Sequence, residues 1–136
     1  MQKNLISLDK RYDDWNKVKK NIAKSEEKVF FKERDIFWIS IGENVGFEQN
    51  GKGGVFSRPV LIVRKFSKSI FFGVPLSTKI KEGSFFFEFD LNNNKSNALL
   101  VQGRIFDAKR LENKIGMINK NDFLSLKEKL KKLLDV

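Results

Sequence analysis

The sequence predicts a mainly β domain with helices at its ends: a small barrel of short strands between an N-terminal and a C-terminal helix. Short apolar segments separated by turn residues fill the middle of the chain, whereas apolar residues recur at helical spacing near both ends. The 136 residues suffice for one domain with a modest core. We therefore expect an N-terminal helical extension over residues 1–32 and a barrel domain with its C-terminal helix over residues 33–136.

The N-terminal helix is predicted over residues 7–26. Its apolar residues recur at spacings of three and four: Leu8, Tyr12, Trp15, Val18 and Ile22. We expect this narrow apolar face to pack on the barrel, and the alternative is a docking face for a partner.

Five strands are predicted in the central part of the chain, at residues 36–41, 59–64, 70–76, 85–89 and 98–101. The second segment is apolar almost throughout, which is typical of a strand buried on both faces. The polar residues 92–97 between the last two strands predict a turn or a short loop.

The C-terminal part is predicted to be helical. Residues 107–114 are expected to form one or two helical turns that end at Gly116. Residues 119–122 offer N-caps for a final helix that packs on the barrel. Its apolar stripe consists of Phe123, Leu126, Leu130 and Leu133.

Two residue types are absent, and this restricts the chemistry. Without Cys the chain can form no disulfide, zinc–thiolate cluster or thiol nucleophile. Without His it lacks the usual general base near neutral pH and the commonest metal ligand, which excludes Ser-His-Asp hydrolysis and most transition-metal sites. The sequence therefore predicts neither a cofactor nor a metal.

The charge favours an anionic partner. Lys and Arg number 27 against 17 Asp and Glu, which gives a net charge of +10 that attracts polyanions such as nucleic acids. Because the excess is spread along the chain, a Lys-rich soluble protein without a nucleic-acid partner remains an open alternative. No apolar run approaches about 20 residues and no apolar segment follows the N-terminus, so we expect no membrane partner and a cytoplasmic location.

Residues 46–59 form the most informative segment. It is long for the loop of a hairpin, and long structured loops are often functional. Gly51, Gly53 and Gly54 allow the backbone to approach a ligand closely. Arg58 stands where the loop meets the second strand, and Pro59 fixes the adjacent backbone, so the guanidinium can be held towards a phosphate. A surface Arg without a role is the alternative.

Four motifs in this order resemble the MazF/PemK family of toxins from type II toxin–antitoxin systems. Residues 46–49 (GFEQ) resemble the G-x-E-Q loop of that family, and residues 58–63 (RPVLIV) resemble the R-P-x-L-V-x start of its second strand. Residues 74–80 (VPLSTKI) resemble its P-L-S/T-S/T-K segment, and residues 102–111 (QGRIFDAKRL) resemble its Q-I-R-x-x-D-x-x-R-L segment. The resemblance covers roughly residues 33–134.

The resemblance implies both a fold and an activity. The fold would be an SH3-like barrel of the MazF, PemK and CcdB kind, assembled as a homodimer. The activity would be metal-independent endoribonucleolytic cleavage of single-stranded RNA, inhibited by a cognate antitoxin that occupies the RNA groove. DNA would bind but would not react, because it lacks the 2′-hydroxyl.

The catalytic pair implied by the resemblance corresponds to Arg58 and Ser77. Thr78 is the adjacent hydroxyl, and a shift of one residue would exchange its role with that of Ser77. Some members of the family carry an acidic residue where this chain has Val101, so that acid is not available here.

Five residues are expected to bind the substrate: Phe47, Glu48, Gln49, Thr78 and Lys79. Phe47 would stack on a base if it is exposed, and its alternative place is the core. Glu48 is a candidate carboxylate for the site or a loop brace, and Gln49 would bind a base edge or brace the same loop.

Two other functions stay open at this point. The same barrel would serve as a non-catalytic binding module that grips nucleic acid or protein, as the gyrase poisons of the CcdB kind do. An unrelated basic β-barrel adaptor, for example one bound to ribosomes, is the third alternative.

Overall fold

The computed structural model describes residues 29–40 and 57–136. They form seven strands and one α-helix: β1 (Asp35–Ser40), β2 (Ser57–Lys65), β3 (Ile70–Ser77), β4 (Phe86–Leu91), β5 (Asn94–Leu99), β6 (Arg104–Asp107), β7 (Leu111–Met117) and α1 (Lys120–Leu134). Short 3-10 helices lie at Leu100–Gln102 and Ala108–Arg110. The N-terminal helix predicted at residues 7–26 lies outside the described residues.

The strands form one antiparallel sheet in the order β4-β5-β3-β2-β1-β7, and β6 pairs with β3 outside this order. One edge of β3 is shared by two strands. Residues 70–73 pair with β6, whereas Leu76 and Ser77 pair with β5.

The sheet is open, and the predicted closed barrel is wrong in this respect. Within the described part of the chain, β4 and β7 end the strand order and do not pair with each other. The tip of the β4–β5 hairpin does reach β7, but through side chains. A Cβ atom on Gly116 would lie 3.1 Å from Leu91 Cδ1, and Asn92 Nδ2 lies 3.5 Å from the carbonyl oxygen of Ile115. Side-chain contacts thus take the place of a backbone ladder.

The central strands bury both faces of the sheet. Because neighbouring residues of a strand point to opposite faces, Leu61 and Val63 enter one core and Val60 and Ile62 enter the other. Helix α1 covers the first face with Phe123, Leu126 and Leu130. The second face is covered by aromatic and aliphatic side chains: Phe31, Phe71, Phe106 and Leu111.

The start of β1 is fixed by the carboxylate of Asp35, which is buried. It accepts a hydrogen bond from the backbone N–H of Lys32 at 3.0 Å. It also pairs with the ammonium groups of Lys32 at 3.3 Å and of Lys114 at 3.0 Å, and the latter lies on β7. The preceding Arg34 has a φ of 82° and accepts a hydrogen bond through its carbonyl from Ile118 N–H at 3.0 Å. These contacts tie β1 to the β7–α1 connection.

Four of the five predicted strands and the final helix are confirmed, with ends shifted by one or two residues. The Asn119 side chain caps the helix by accepting from the N–H groups of Asn121 and Asp122. The fifth strand, predicted at residues 98–101, starts earlier as β5, because the turn occupies only Asn92 and Asn93. Both have positive φ, 51° and 67°, as a two-residue type I′ hairpin turn requires.

The prediction for residues 107–114 is wrong. Only Ala108–Arg110 is helical, Leu111–Met117 is strand β7, and the short strand β6 was not predicted at all. Both strands lie at the margin of the sheet and carry several exposed polar residues, so their sequences lack the apolar density by which strands are predicted.

No helix in residues 29–40 and 57–136 is both long enough and apolar enough to cross a membrane.

Helix α1 offers a matched test of the core. Leu126 is fully buried against the sheet, whereas Leu124 on the same helix is 55% exposed. We expect Leu126→Ala to lower the free energy of unfolding by about 2–5 kcal/mol, because it removes buried methyl groups and leaves a cavity. Leu124→Ala should change it by less than about 0.5 kcal/mol. Urea denaturation of both variants tests this, and equal losses would contradict the described packing.

Candidate functional site

A row of three polar side chains crosses neighbouring strands at one end of the sheet. The β2–β3 ladder ends at the pair of Val60 and Pro75, and Arg58 and Ser77 each lie two residues beyond that pair. Ser77 pairs with Asn97 on β5. Because paired residues share a face and so do residues two apart on a strand, Arg58, Ser77 and Asn97 lie on the same face of β2, β3 and β5.

Arg58 is a buried cation. It is the second residue of β2, pairs with Ile39 on β1, and is only 2% exposed. Burial lowers the pKa of its guanidinium below the usual value. The group remains cationic at neutral pH, because the pKa of Arg starts far above it. A charge withdrawn from water interacts more strongly with an anion that reaches it.

The backbone on both sides of Arg58 is held by Glu112 of β7. Ser40 Oγ on β1 donates a hydrogen bond to Glu112 Oε2 at 2.5 Å. Ser57 Oγ, which directly precedes Arg58, lies 3.0 Å from each oxygen of the same carboxylate. One carboxylate thus links β7 to β1 and to the start of β2.

A second half-buried guanidinium lies close to this bridge. Arg110 Nη1 donates a hydrogen bond to the carbonyl oxygen of Ser40 at 3.0 Å. Burial lowers the pKa of Arg110, and repulsion from Arg104 lowers it further, whereas Asp107 raises it. Arg110 thus binds the backbone of Ser40, whose side chain binds the Glu112 carboxylate.

Ser77 ends β3 and begins a turn. Its Oγ accepts a hydrogen bond from the backbone N–H of Lys79 at 3.1 Å, which fixes the oxygen and leaves the hydroxyl proton available to a ligand.

The side chain of Asn97, which is fully buried, holds the turn that follows Ser77. Asn97 Nδ2 donates to the carbonyl oxygens of Lys79 at 3.2 Å and Lys81 at 3.4 Å. Its Oδ1 is buried and has no hydrogen-bond partner among the described residues. Asn97 therefore positions the segment that carries Ser77 and Thr78.

A cavity of about 470 Å³ opens at the same end of the sheet. Its lining comes from the ends of β1, β2 and β3, the β4–β5 hairpin and β7: Trp38, Arg58, Pro59, Leu76, Ser77, Thr78, Leu91, Asn92, Asn94, Lys95, Ser96 and Ile115.

The lining includes residues from both faces of the strands. By the alternation along each strand, Trp38, Pro59 and Leu76 point to the face that α1 covers. Arg58 and Ser77 belong to the other face, yet they also line the cavity. The ends of β2 and β3 thus separate a cationic, hydroxyl-bearing side from an apolar one.

The predicted site residues fall into three groups. Arg58, Ser77 and Thr78 line the cavity, and Arg58 and Ser77 come together on adjacent strands. Lys79 is exposed beside the cavity and contributes its backbone N–H to the Ser77 turn. The remaining predicted residues, at positions 47–49, lie outside the described residues.

Two residues of this end of the sheet escaped the sequence analysis. Glu112 lay in a segment predicted to be helical, and Asn97 lay in a predicted loop, so neither was assigned to a strand. Asn97 is the last of six consecutive polar residues, 92–97, so no local signal in the sequence distinguished it from its neighbours. In residues 29–40 and 57–136, no three acidic side chains lie close enough together to hold a metal ion.

Glu112→Ala tests the bridge beside Arg58. Two serine hydroxyls lose their acceptor, and we expect a loss of about 1–3 kcal/mol in the free energy of unfolding. The matched control is Glu88→Ala, because Glu88 is exposed and makes only a surface pair with Lys95 at 3.6 Å, worth about 0–1 kcal/mol. Chemical denaturation measures both variants, and a larger loss for Glu88→Ala would contradict the assigned role of Glu112.

The chain can now be compared with known proteins. Curated protein sequences give no match. Among solved structures, MazF (Form-I) of Deinococcus radiodurans is 17% identical, with a TM-score of 0.62 over 79% of this chain and 99% of that one. The Mycobacterium tuberculosis toxin MazF-mt6 is 17% identical, with a TM-score of 0.58 over 76% and 98%. An endoribonuclease from Mycobacterial species, in complex with its cognate antitoxin, is 11% identical, with a TM-score of 0.60 over 79% and 97%.

At these identities the structural likeness establishes the fold. The family is established by the sequence. The family model of PemK-like, MazF-like toxins of type II toxin–antitoxin systems matches residues 32–134, which include every described strand and α1. This match removes the unrelated adaptor from the alternatives. The chain belongs to the PemK-like, MazF-like family of type II toxin–antitoxin toxins.

Proposed function

We propose that this toxin is a metal-independent endoribonuclease that cuts single-stranded RNA. The observation that carries the proposal is that Arg58 of β2 and Ser77 of β3 lie on the same face of neighbouring strands and line one cavity. The family membership supports it, as does the fold shared with a protein described as an endoribonuclease.

The proposed reaction uses the ribose 2′-hydroxyl as the nucleophile. Its oxygen loses a proton and bonds to the adjacent phosphorus, while the bond from phosphorus to the 5′-oxygen of the next nucleotide breaks. The 5′-oxygen takes up a proton from water. The products are a 2′,3′-cyclic phosphate and a free 5′-hydroxyl, so a substrate without the 2′-hydroxyl binds but does not react.

Arg58 is proposed to stabilise the negative charge that builds up on the phosphate. Its guanidinium can donate two parallel hydrogen bonds to phosphate oxygens, and its burial strengthens their interaction with the anion. One preorganised donor of this kind contributes about 3–4 kcal/mol to the transition state. Burial lowers the pKa of Arg58, but a guanidinium starts so far above neutral pH that it is a poor proton donor, so charge stabilisation is its main role.

Ser77 is proposed to position the reacting groups. Because its oxygen already accepts from Lys79 N–H, its hydroxyl proton is directed to a phosphate oxygen or to the 2′-oxygen. Thr78 and Lys79 follow in the turn held by Asn97 and are proposed to contact the substrate. The sequence contains no His, so the 2′-proton passes to water or to a carboxylate, for which Glu48 remains the candidate.

Two protein partners belong to the proposal. The relative from Mycobacterial species is described in complex with its cognate antitoxin, and an antitoxin that blocks the cavity is proposed for this chain too. A homodimer is the second partnership. It is supported by two exposed apolar side chains, Ile70 on β3 and Ile105 on β6, and β6 pairs only with β3 among the described strands. Because its substrate would be cellular RNA, we propose that the toxin acts in the cytoplasm.

Arg58→Ala tests directly whether the protein is an endoribonuclease that uses Arg58. In EDTA, the wild-type protein should cleave a mixed-sequence single-stranded RNA and leave cyclic phosphate ends. The rate of Arg58→Ala should fall by about 100- to 1000-fold, because a donor to the transition state is lost. Gel analysis and end-group mapping of the fragments give the rates and the chemistry.

Arg64→Ala is the matched control, since Arg64 lies on the same strand but is exposed. It should cleave at close to the wild-type rate. Ser77→Ala provides a second variant at a half-buried position in case Arg58→Ala does not fold. Intact RNA with folded, antitoxin-free wild-type protein would overturn the nuclease and leave a non-catalytic binding module.

The proposed dimer has its own test. Ile105 is 52% exposed on β6, and Ile105→Asp should convert the dimer into a monomer by placing a charge in an apolar interface. Ile80→Asp, at another exposed Ile, should leave the dimer intact. Light scattering coupled to gel filtration measures the mass, and a wild-type mass equal to the 15.8 kDa of one chain would exclude the dimer.

A further inference from the structure

The part of the cavity away from Arg58 is apolar on its walls. Trp38 of β1 and Leu76 of β3 line it on the sheet side, and Leu91 of β4 and Ile115 of β7 line it on the hairpin side. Trp38 is only partly buried, so the large aromatic surface of its indole is open to a ligand within this space.

The rim of the same space is polar and comes from the β4–β5 hairpin. Asn92, Asn94 and Ser96 line the cavity there and offer amide and hydroxyl groups. The hairpin is held in place, because its two-residue turn is fixed by positive φ at Asn92 and Asn93 and because Asn92 Nδ2 approaches the carbonyl oxygen of Ile115. Asn94 Nδ2 lies 3.4 Å from the carbonyl oxygen of Asn92. The polar groups are thus presented from a defined backbone.

The charges at this rim do not favour a second phosphate. Lys95 is the rim's cation, and its ammonium pairs with Asp90 at 3.1 Å and Glu88 at 3.6 Å. These two carboxylates neutralise it and repel an anion. The phosphate-binding charge of the site is therefore confined to the side of Arg58, and the hairpin side fits a neutral group with an aromatic face and hydrogen-bonding edges.

A nucleobase meets these requirements. We propose that this subsite binds one base of the RNA next to the phosphate that is cut, with the ring against Trp38 and its polar edge at Asn94 and Ser96. The inference rests on the proposed function, because the ends of β2 and β3 set the subsite beside Ser77 and Arg58. Single-stranded RNA presents unstacked bases that proteins bind by aromatic contact and by edge hydrogen bonds.

The position of the subsite explains how the base and the phosphate are held at once. The backbone phosphate meets Arg58 and Ser77 on one face of β2 and β3, and the base turns over the strand ends towards Trp38 on the other. Asn94 and Ser96 then determine which base is accepted, because an amide or hydroxyl left without a partner disfavours the wrong base.

The test uses tryptophan fluorescence and probes that cannot be cut. The chain has two Trp residues, so Trp15→Phe leaves Trp38 as the reporter and Trp38→Phe leaves Trp15. Each variant is titrated with 2′-O-methyl octanucleotides of a single base, A, C, G or U, and with an abasic sugar–phosphate octamer. Fluorescence anisotropy of end-labelled probes gives the affinities independently.

We expect at least one base-bearing probe to change the Trp38 signal and to bind about tenfold or more tightly than the abasic probe. The Trp15 signal of Trp38→Phe should not report the base. Asn94→Ala should reduce the difference between the four bases. Asn113→Ala, an exposed Asn on β7 outside the cavity, should leave it unchanged.

Two results would overturn the inference. If a probe binds by anisotropy but the Trp38 signal is silent, or if the abasic probe changes it equally, then no base enters the subsite and a protein side chain becomes the better occupant. The proposed nuclease would survive this result. If no probe binds to folded, antitoxin-free protein, both the subsite and the proposed function fail.

Discussion

The burial of the Arg58 cation is the constraint around which this end of the molecule is built. Withdrawing a guanidinium from water is unfavourable, so the surrounding structure must hold it in place. The Glu112 carboxylate fixes the backbone next to it through Ser57 and fixes the neighbouring strand through Ser40. The row of Ser77 and Asn97 continues from Arg58 across the sheet. The proposed binding of a phosphate at Arg58 would use a cation whose position is costly for folding.

The two cores maintain this arrangement. Since β2 buries apolar side chains on both faces, a slip of one residue would exchange the cores and move Arg58 to the face covered by α1. The register is therefore strongly specified far from the site, by Leu61 and Val63 against α1 and by Val60 and Ile62 on the other face. The alternation of side chains along β2 therefore determines both the packing of the two cores and the face on which Arg58 lies.

The sequence predicted those parts of the fold whose signal is local and apolar. Residues 59–64 and the stripe of α1 have this character, and both were confirmed. It failed at the margins, where β7 carries Glu112 and Lys114 and its conformation depends on pairing with β1. The prediction of a closed barrel was wrong for a related reason. The contacts that Leu91 and Asn92 of the β4–β5 hairpin make beside Gly116 of β7 join residues that are distant in sequence. The family motifs predicted Arg58 and Ser77 as site residues. They did not predict Asn97 and Glu112, because these two residues act through hydrogen bonds to residues that are distant in sequence.

The central claim is that Arg58 and Ser77 act on one phosphate. A double-mutant cycle of Arg58→Lys and Ser77→Ala, measured by single-turnover cleavage of RNA in EDTA, tests it most directly. If the two side chains act as a unit, the double variant should lose clearly less activity than the product of the two single losses. Losses that multiply, in variants shown to be folded, would mean that the two residues act independently and would contradict the account.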